Sequence, residues 1–300
     1  TLFSKLLNVY VDTNIGMPSI EIMIISSILK NKHKVHYTRN LNDKEIEDCD
    51  FVILPSSIIA HETEIEAISK LKHKKIFVTG IFATTKREKY LVENSIVVKN
   101  ESDTFFYNLE KSNNFNLNFL NKLFDKKDLI NDYYSPVELD DFPYPDWGSY
   151  TKKFPLRNDF FSLNQKIAVP LLGTRGCPYS CFFYCTYPLQ QGRKVRARSV
   201  ENIIEEIKYW KKELGTNKFV FRDPVFSINR KHTIAFCKKV IEEKLDITFM
   251  VETHLNNLDD EMIALLRKAG LELVYVGVES SSDFVLKDMQ RFTVEHDKQY

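Results

Sequence analysis

The chain has 300 residues, of which 43% are hydrophobic and 28% are charged. This composition is enough for two globular domains and excludes a disordered tail or a fibre. Because 42 Lys and Arg residues balance 41 Asp and Glu residues, the net charge of +1 provides no global attraction to nucleic acid or anionic lipid. The longest apolar runs have about ten residues, against the roughly 20 that a membrane-spanning helix needs. Five Cys are too few for a disulfide scaffold, so we expect a cytoplasmic protein.

The first part of the chain alternates short apolar runs with longer amphipathic ones, a pattern typical of β-α units on a parallel sheet. We predict helices at 20–31 and 61–72, and strands at 5–12, 33–39, 50–57, 74–80 and 95–100. These elements predict a small α/β domain of Rossmann-like or flavodoxin-like type over residues 1–134. Ligands of such sheets bind beyond the carboxyl ends of the strands.

A second β-α series follows an irregular stretch. Residues 104–136 show no clean period, the segment 135–148 is rich in proline and acids, and we assign 135–165 as a linker. Beyond it we predict helices at 199–214, 231–244 and 259–270, a further helix starting near Ser282, and strands at 166–174, 218–223, 247–254 and 271–280. Repeats of about 30 residues predict part of a (β/α) barrel over 166–300, with its chemistry at the carboxyl ends of the strands.

Three cysteines, Cys177, Cys181 and Cys185, lie in one turn-rich loop, GTRGCPYSCFFYCTYP, directly after the first strand of this series. Three thiols without a nearby fourth ligand suit a metal centre with an open position, whereas structural zinc sites are closed by four ligands. An iron–sulfur cluster held by three Cys leaves one iron free for a substrate or cosubstrate. The alternative is a buried helical stripe of small apolar residues, but Pro178 and the nearby glycines favour a loop.

This loop resembles the cluster-binding loop of radical S-adenosylmethionine (SAM) enzymes, which has the spacing CxxxCxxC. CPYSC matches the first half and Tyr184 matches the aromatic residue before the last Cys, whereas CFFYC is one residue longer than usual. Later segments resemble the same family, among them FVFRDPVFSINR and VETHLNNLDDEMIALLRKAG, so that the resemblance covers about 166–300. It implies that the three cysteines hold a 4Fe-4S cluster and that SAM is bound by Tyr184, Arg222, Asp223, Glu252 and Glu279. A carboxylate at a strand end can instead cap a helix or pair with an Arg.

The N-terminal part resembles the cobalamin-binding domain that precedes the barrel in one branch of this family. The resemblance is carried by GMPSIEIMIISSILKNKHKV, VTGIFATT and the join ELDDFPYPDW. No DxHxxG follows the first predicted strand, and NESD replaces the usual GEGE, with the loss of two glycines that permit close backbone approach. A bound cobalamin would contact Ser56, Ser57, Gly80 and Glu101. The alternative is an α/β domain that no longer binds a corrinoid.

Together these resemblances imply a cobalamin-dependent radical SAM enzyme. In such enzymes the reduced cluster cleaves SAM, the resulting 5'-deoxyadenosyl radical removes hydrogen from an unactivated carbon, and methylcobalamin supplies a methyl group. We therefore expect a methyltransferase acting on a small molecule or peptide, with an external one-electron reductant and with neither nucleic acid nor membrane as partner. One alternative keeps the radical without methyl transfer and gives rearrangement, cyclisation or sulfur insertion. Another is a non-catalytic iron–sulfur or electron-transfer module.

Two further features bear on this expectation. The only strong basic run, RKVRAR at 193–198, can be a nucleic-acid patch, but such a run before a helix is more often a solvated edge. The barrel of the family has six β-α units, and only four can be counted before Tyr300. We therefore expect these residues to be part of a longer polypeptide that is truncated here at its C-terminus.

Overall fold

The structure is a computed structural model that describes residues 19–113, 115–127, 130, 133–154, 168–179, 181 and 185–291. The chain divides into two compact units. The N-terminal unit contains residues 19–146 and 189–191, and the cysteine unit contains the described residues of 147–188 and 192–300. Within the described ranges, no helix is both long and apolar enough to cross a membrane.

The N-terminal unit contains a parallel sheet of three strands in chain order, β1 (Phe51–Pro55), β2 (Lys75–Thr79) and β3 (Ser95–Val97). Its helices are α1 (Ile20–Leu29), α2 (Lys44–Glu47), α3 (His61–Lys70), α4 (Ile81–Thr85), α5 (Ser102–Lys111) and α6 (Leu117–Asp125), with 3-10 turns at Arg87–Lys89 and Leu139–Asp141. Phe77 of β2 is fully buried and packs edge-to-face against Phe106 and Phe124 at ring distances of 5.3 and 5.2 Å. Such aromatic contacts stabilise this core beyond simple burial.

The prediction of a strand at 33–39 is wrong, because these residues form neither strand nor helix. Side chains hold the segment in place without a backbone ladder: Val35 packs against the core, and the Tyr37 hydroxyl donates to Asp146 at 2.9 Å. The alternating sequence pattern that predicts a strand therefore has another cause. Every second side chain, as at Val35 and Tyr37, turns inward and is held by the rest of the unit. The strand predicted at 5–12 lies outside the described residues.

Helices α5 and α6 occupy the stretch 104–136 in which the sequence analysis found no regular period. Phe105, Phe106 and Leu109 are fully buried on α5, and Asn116 caps α6 by accepting from the backbone N–H of Phe119 at 3.0 Å. The many Asn and Lys residues of this stretch obscure the apolar spacing in the sequence, and the buried spacing is recognisable only once the core is assembled.

The cysteine unit is built on a parallel sheet in the order β4 (Ala168–Leu171), β7 (Lys218–Phe221), β8 (Thr248–Thr253) and β9 (Leu271–Val276). The short strands β5 (Thr174–Arg175) and β6 (Arg196–Ala197) pair antiparallel. The helices after residue 146 are α7 (Trp147–Lys153), α8 (Tyr187–Gln191), α9 (Val200–Leu214), α10 (Arg230–Glu242), α11 (Asp260–Lys268) and α12 (Asp283–Asp288), with a 3-10 turn at Leu255–Asn257. These elements confirm the predicted β-α units.

Local signals set the ends of these helices. Ser199 caps α9 by accepting from the N–H of Asn202 at 3.2 Å, and Asp259 caps α11 by accepting from that of Met262 at 2.8 Å. Between the helices and the sheet, the rings of Phe221 and Phe249 each pack edge-to-face on Phe236. The rigid sheet fixes where the chain leaves each strand, and the polar residues of the site lie at those points.

Candidate functional site

A tight hairpin places the first cysteine of the loop. Strands β5 and β6 pair just before Cys177, whose N–H donates to the carbonyl of Gly192 at 3.1 Å. Gly176 has a φ of +87°, and a Cβ at this position would lie 2.1 Å from the carbonyl oxygen of Lys194. Only glycine permits this approach, so the hairpin fixes the backbone that leads into Cys177.

The three thiols of the loop share one electrostatic neighbourhood. All three are free, with Cys177 buried and the other two partly exposed. Burial raises the pKa of Cys177, and the thiols of Cys185 and Cys181 raise it further. Burial likewise raises the pKa of Cys185, again with a contribution from Cys181. The raised pKa values favour the protonated thiols of Cys177 and Cys185, whereas a metal centre binds thiolates and displaces their protons. The donor set therefore fits a metal centre.

The arrangement differs from that of a site for one metal ion. Over the described ranges, no three His, Cys, Asp or Glu side chains form a group that could hold a single ion. A cubane cluster does not require such convergence, because each of its cysteines binds a different iron. A loop that carries three cysteines is therefore compatible with a cubane cluster.

Asp223, at the end of β7, holds the start of this loop. Its two carboxylate oxygens accept from the N–H of Gly173 at 2.7 Å and from the hydroxyl of Thr174 at 2.8 Å. The side chain is fully buried, and burial raises its pKa to about 7. These contacts give Asp223 a structural role in joining β7 to the segment that leads to Cys177.

Three side chains form a connected group at the ends of β7 and β8. Arg222 donates to Glu252 at 3.0 Å, and the other oxygen of Glu252 accepts from the Tyr187 hydroxyl at 3.2 Å. Burial raises the pKa of Tyr187, and the charge of Glu252 adds to the effect. Because Tyr187 lies two residues after Cys185, this group links the third cysteine to two strand ends. Arg222 and Glu252 stay partly exposed, with 38% and 30% of their side-chain surface accessible.

A second ionic pair follows β9. Glu279, with a φ of +63°, lies 3.4 Å from the guanidinium of Arg291. The same guanidinium donates to the carbonyl of Gly277 and reaches the sulfur of Cys181 at 3.9 Å. Arg291 therefore connects the second cysteine with the end of the last strand of the sheet.

A neutral histidine packs against the middle of the cysteine loop. Burial lowers the pKa of His254 to about 4, with a further contribution from Arg291. Its Nδ1 accepts from the N–H of Asn256 at 3.2 Å, which leaves the proton on Nε2. The ring lies 4.9 Å from that of Tyr179, whose hydroxyl donates to Asn257 at 3.2 Å.

In the N-terminal unit, Ser56 and Gly80 meet at the carboxyl ends of β1 and β2. Gly80 has a φ of +97°, and a Cβ there would lie 2.7 Å from the Ser56 carbonyl oxygen. The Ser56 hydroxyl accepts from the N–H of Ala83 at 2.8 Å. This edge therefore presents closely packed backbone and small side chains.

The neighbouring positions on that edge are also held by hydrogen bonds. The N–H of Ser57 donates to the buried carboxylate of Glu64 at 2.8 Å, and the other oxygen of Glu64 accepts from the Tyr90 hydroxyl at 2.7 Å. Glu101 immediately precedes α5 and accepts from the Thr104 hydroxyl at 3.5 Å. Glu64 thus fixes the loop that follows β1.

The structure brings several of the residues named from the sequence into contact, and adds others. Arg222 contacts Glu252, and Cys181 is linked to Glu279 through Arg291, whereas Tyr184 lies outside the described residues. The sequence analysis missed Tyr187, His254 and Arg291. The first two had an available signal, since they lie next to Cys185 and Glu252 along the chain. Arg291 follows the last quoted motif and carried no such signal.

Comparisons with known proteins match part of this chain to radical SAM proteins. Residues 171–296 match the model of the radical SAM superfamily. The chain is 32% identical over 117 residues to an uncharacterized methyltransferase of Pyrococcus horikoshii. The matched stretch covers 39% of this chain and 25% of that protein. The chain is 28% identical over 253 residues to an anaerobic magnesium-protoporphyrin IX monomethyl ester cyclase of Cereibacter sphaeroides, covering 78% and 40% of the two chains. The chain thus spans 25% and 40% of these relatives' lengths.

The fold is shared over nearly the whole chain with a solved structure. The radical S-adenosylmethionine methyltransferase TsrM from Kitasatospora setae, with cobalamin and a 4Fe-4S cluster bound, matches with a TM-score of 0.65 and 12% identity, over 95% of this chain and 63% of that one. The match of residues 171–296 to the radical SAM superfamily confirms the resemblance found in that part of the sequence.

Proposed function

We propose that this chain is the cofactor-binding part of a cobalamin-dependent radical SAM methyltransferase. The observation that carries the proposal is a loop of three free thiols at the carboxyl end of a parallel sheet, beside ionic groups that follow β7, β8 and β9. When bound, the cluster supplies one electron for cleavage of SAM, and cobalamin supplies the methyl group.

The cluster would be held by Cys177, Cys181 and Cys185, with the open iron facing SAM. The amino acid part of SAM carries an ammonium and a carboxylate, and each of the two ionic pairs at the strand ends offers one charge of each sign. Arg222 and Glu252 are partly exposed, so each can exchange its protein partner for the opposite charge of SAM. Glu279 and Arg291 form the second such pair. Asp223, by contrast, would act through the loop that it holds, and Tyr184 would lie beside the cluster.

The N-terminal unit would be the Rossmann-like cobalamin domain, with the barrel domain following the linker. Its strand ends carry hydrogen-bonded hydroxyls and Gly80, where the backbone comes too close for a side chain. Next to them Ile58 and Ile59 are exposed by 70% and 86%. A small, largely uncharged edge beside apolar side chains suits a large macrocycle, and Ser56, Ser57, Gly80 and Glu101 would contact it.

The remaining partners follow from this chemistry. The substrate would be a small molecule or peptide with an unactivated carbon, and the electron would come from an external one-electron reductant. We retain the cytoplasm as the proposed location, since oxygen-sensitive clusters and free thiols both require reducing conditions.

The direct test is cleavage of SAM by the protein purified and reconstituted without oxygen. We expect iron-dependent formation of 5'-deoxyadenosine, accompanied by S-adenosylhomocysteine when cobalamin is present. The Cys181→Ala variant should form neither product, and Cys237→Ala should behave as the wild type because this thiol is fully buried on α10. An intact cluster without SAM cleavage in the wild type would overturn the enzymatic function and leave an electron-transfer module.

A further inference from the structure

The basic run at 193–198 does not form a uniform surface. Arg198 is buried, where it pairs with the buried carboxylate of Glu206 and donates to the carbonyl of Leu172 at 3.1 Å. Arg193 and Lys194, in contrast, are exposed. The structure therefore separates Arg198, which stabilises the fold, from Arg193 and Lys194, which lie on the surface.

Both exposed residues touch the cysteine loop, Arg193 through its side chain and Lys194 through its backbone. The Arg193 guanidinium donates to the carbonyl of Tyr179 at 3.0 Å, between the first and second cysteines of the loop. The carbonyl of Lys194 lies so close to Gly176 that a Cβ would approach it to 2.1 Å. The run thus touches the loop on both sides of Cys177, the most buried of its three thiols.

These two cations keep their positive charge available at the surface. Neither forms an ion pair with a carboxylate among the residues that the structure describes. Exposed cations without nearby counter-charges create a local positive potential that attracts anionic partners and accelerates their association. This holds even though the chain as a whole has a net charge of only +1.

We propose that Arg193 and Lys194 form the docking point of a small acidic electron-transfer protein that reduces the cluster. The inference rests on the proposed function and adds to it the surface at which the reductant binds. One electron leaves the carrier, which is oxidised, and enters the cluster, which is reduced, and no covalent bond forms or breaks. Because electron transfer slows steeply with distance, a partner must bind close to the cysteine loop, and the exposed Arg193 guanidinium donates directly to that loop.

The test compares two charge-reversed proteins. Arg193→Glu combined with Lys194→Glu removes the proposed surface, whereas Lys212→Glu combined with Lys238→Glu changes the net charge equally at exposed positions on α9 and α10. Association with a reduced flavodoxin, and the rate at which it reduces the cluster, are measured at low and high salt. Reduction by dithionite reports whether the cluster itself is intact.

We expect the Arg193 and Lys194 reversal to slow association and reduction by about tenfold or more at low salt. Reduction by dithionite should change less than twofold, and the Lys212 and Lys238 variant should match the wild type. Lys194→Glu alone should give a smaller decrease, and it leaves the Arg193 bond to the loop intact.

The proposal is wrong if the reversed protein is reduced by flavodoxin as fast as the wild type, or if both double variants are slowed equally. It is also wrong if the reversal abolishes binding of an RNA while flavodoxin binding is unchanged. A wild type that forms no cluster would overturn the proposed function, but the flavodoxin association measurements would still decide this inference.

Discussion

The carboxyl ends of the strands carry thiols and ionic pairs in the cysteine unit, and hydrogen-bonded hydroxyls and a glycine in the N-terminal unit. Both units use parallel strands linked by helices. In the cysteine unit Glu252 is paired with Arg222, and its side chain remains partly exposed. In the N-terminal unit Glu64 is buried and used entirely to hold Ser57 and Tyr90. The same architecture therefore gives one edge exposed ionic pairs and the other a buried, fully used carboxylate, and the difference lies in a few residues after each strand.

The largest expected effect is the loss of bound iron from the cysteine unit when one thiol is removed. Cys177→Ala, Cys181→Ala and Cys185→Ala should each lose most bound iron and the broad visible absorption of the cluster, because one iron loses its anionic ligand. Iron analysis and absorption spectra of anaerobic protein measure this. Cys49→Ala and Cys237→Ala should keep both signals. Full iron content in Cys185→Ala would show that the third ligand is assigned wrongly.

A change at the other edge should affect cobalamin alone. In Gly80→Ala the new Cβ meets the Ser56 carbonyl at 2.7 Å in a residue with φ of +97°. We expect destabilisation of about 1–3 kcal/mol and at least tenfold weaker cobalamin binding by equilibrium dialysis, with iron content unchanged. Gly215→Ala, also at positive φ but with no atom within 4 Å, should keep cobalamin affinity. Equal affinities in Gly80→Ala and wild type would disprove the role of this edge.

The buried Asp223 should make stability depend on pH. Its pKa is raised from 3.8 to about 7, so the folded state holds a proton that the unfolded state releases, and stability falls as pH rises from about 4 to 7. One pKa unit corresponds to about 1.4 kcal/mol, so the decrease is on the order of a few kcal/mol. Asp223→Asn should remove this decrease in urea unfolding measured at several pH values. Parallel pH profiles for the two proteins would contradict it.

His254 should change the pH dependence of stability in the opposite direction, at acidic pH. Its pKa is lowered from 6.5 to about 4, so the folded state excludes a proton that the unfolded state binds. The contribution of His254 to the free energy of unfolding is complete above pH 6.5 and is lost as the pH falls toward 4. His254→Phe should reduce this acid-side loss in thermal unfolding, while His73→Phe, at a half-exposed histidine, should not. If the His254 variant keeps the wild-type acid profile, the histidine does not carry the effect.

The smallest expected effect concerns the link between the two strand ends and the third cysteine. Tyr187→Phe removes one hydrogen bond to Glu252, worth about 1 kcal/mol for a partly exposed group. SAM binding should weaken by roughly threefold to tenfold, with unchanged iron content, as measured by isothermal titration under anaerobic conditions. Tyr209→Phe, at an exposed tyrosine on α9, serves as control. An unchanged affinity in Tyr187→Phe would remove this residue from the site.

The fold was predictable where apolar spacing is local. Helix α9 and strands β7, β8 and β9 follow from regular periodicity and clear caps, and they lie where the sequence predicts them. Helices α5 and α6 were missed because their apolar residues show no regular helical period in the sequence. Which of these residues are buried becomes clear only when the helices pack on the sheet. The segment 33–39 was misassigned because side-chain anchoring by Tyr37 produces the same alternation as a strand.

The residues of the candidate site likewise include some that the sequence predicts and some that it does not. The cysteines are close in sequence, so their spacing alone indicated a metal centre. Arg291 reaches Cys181 across 110 positions of the chain, and nothing local predicts that contact. Asp223 was correctly placed at a strand end, but only the folded structure shows that both of its oxygens turn inward to Gly173 and Thr174.

The central claim is that this chain carries two independent cofactor sites, one in each unit. The most direct measurement is the iron and cobalt content of anaerobically purified wild type, Cys177→Ala and Gly80→Ala, each checked for folding by circular dichroism. The account predicts both metals in the wild type, cobalt with little iron in Cys177→Ala, and iron with little cobalt in Gly80→Ala. A folded wild type without cobalt, or a folded variant that loses both metals together, would contradict it.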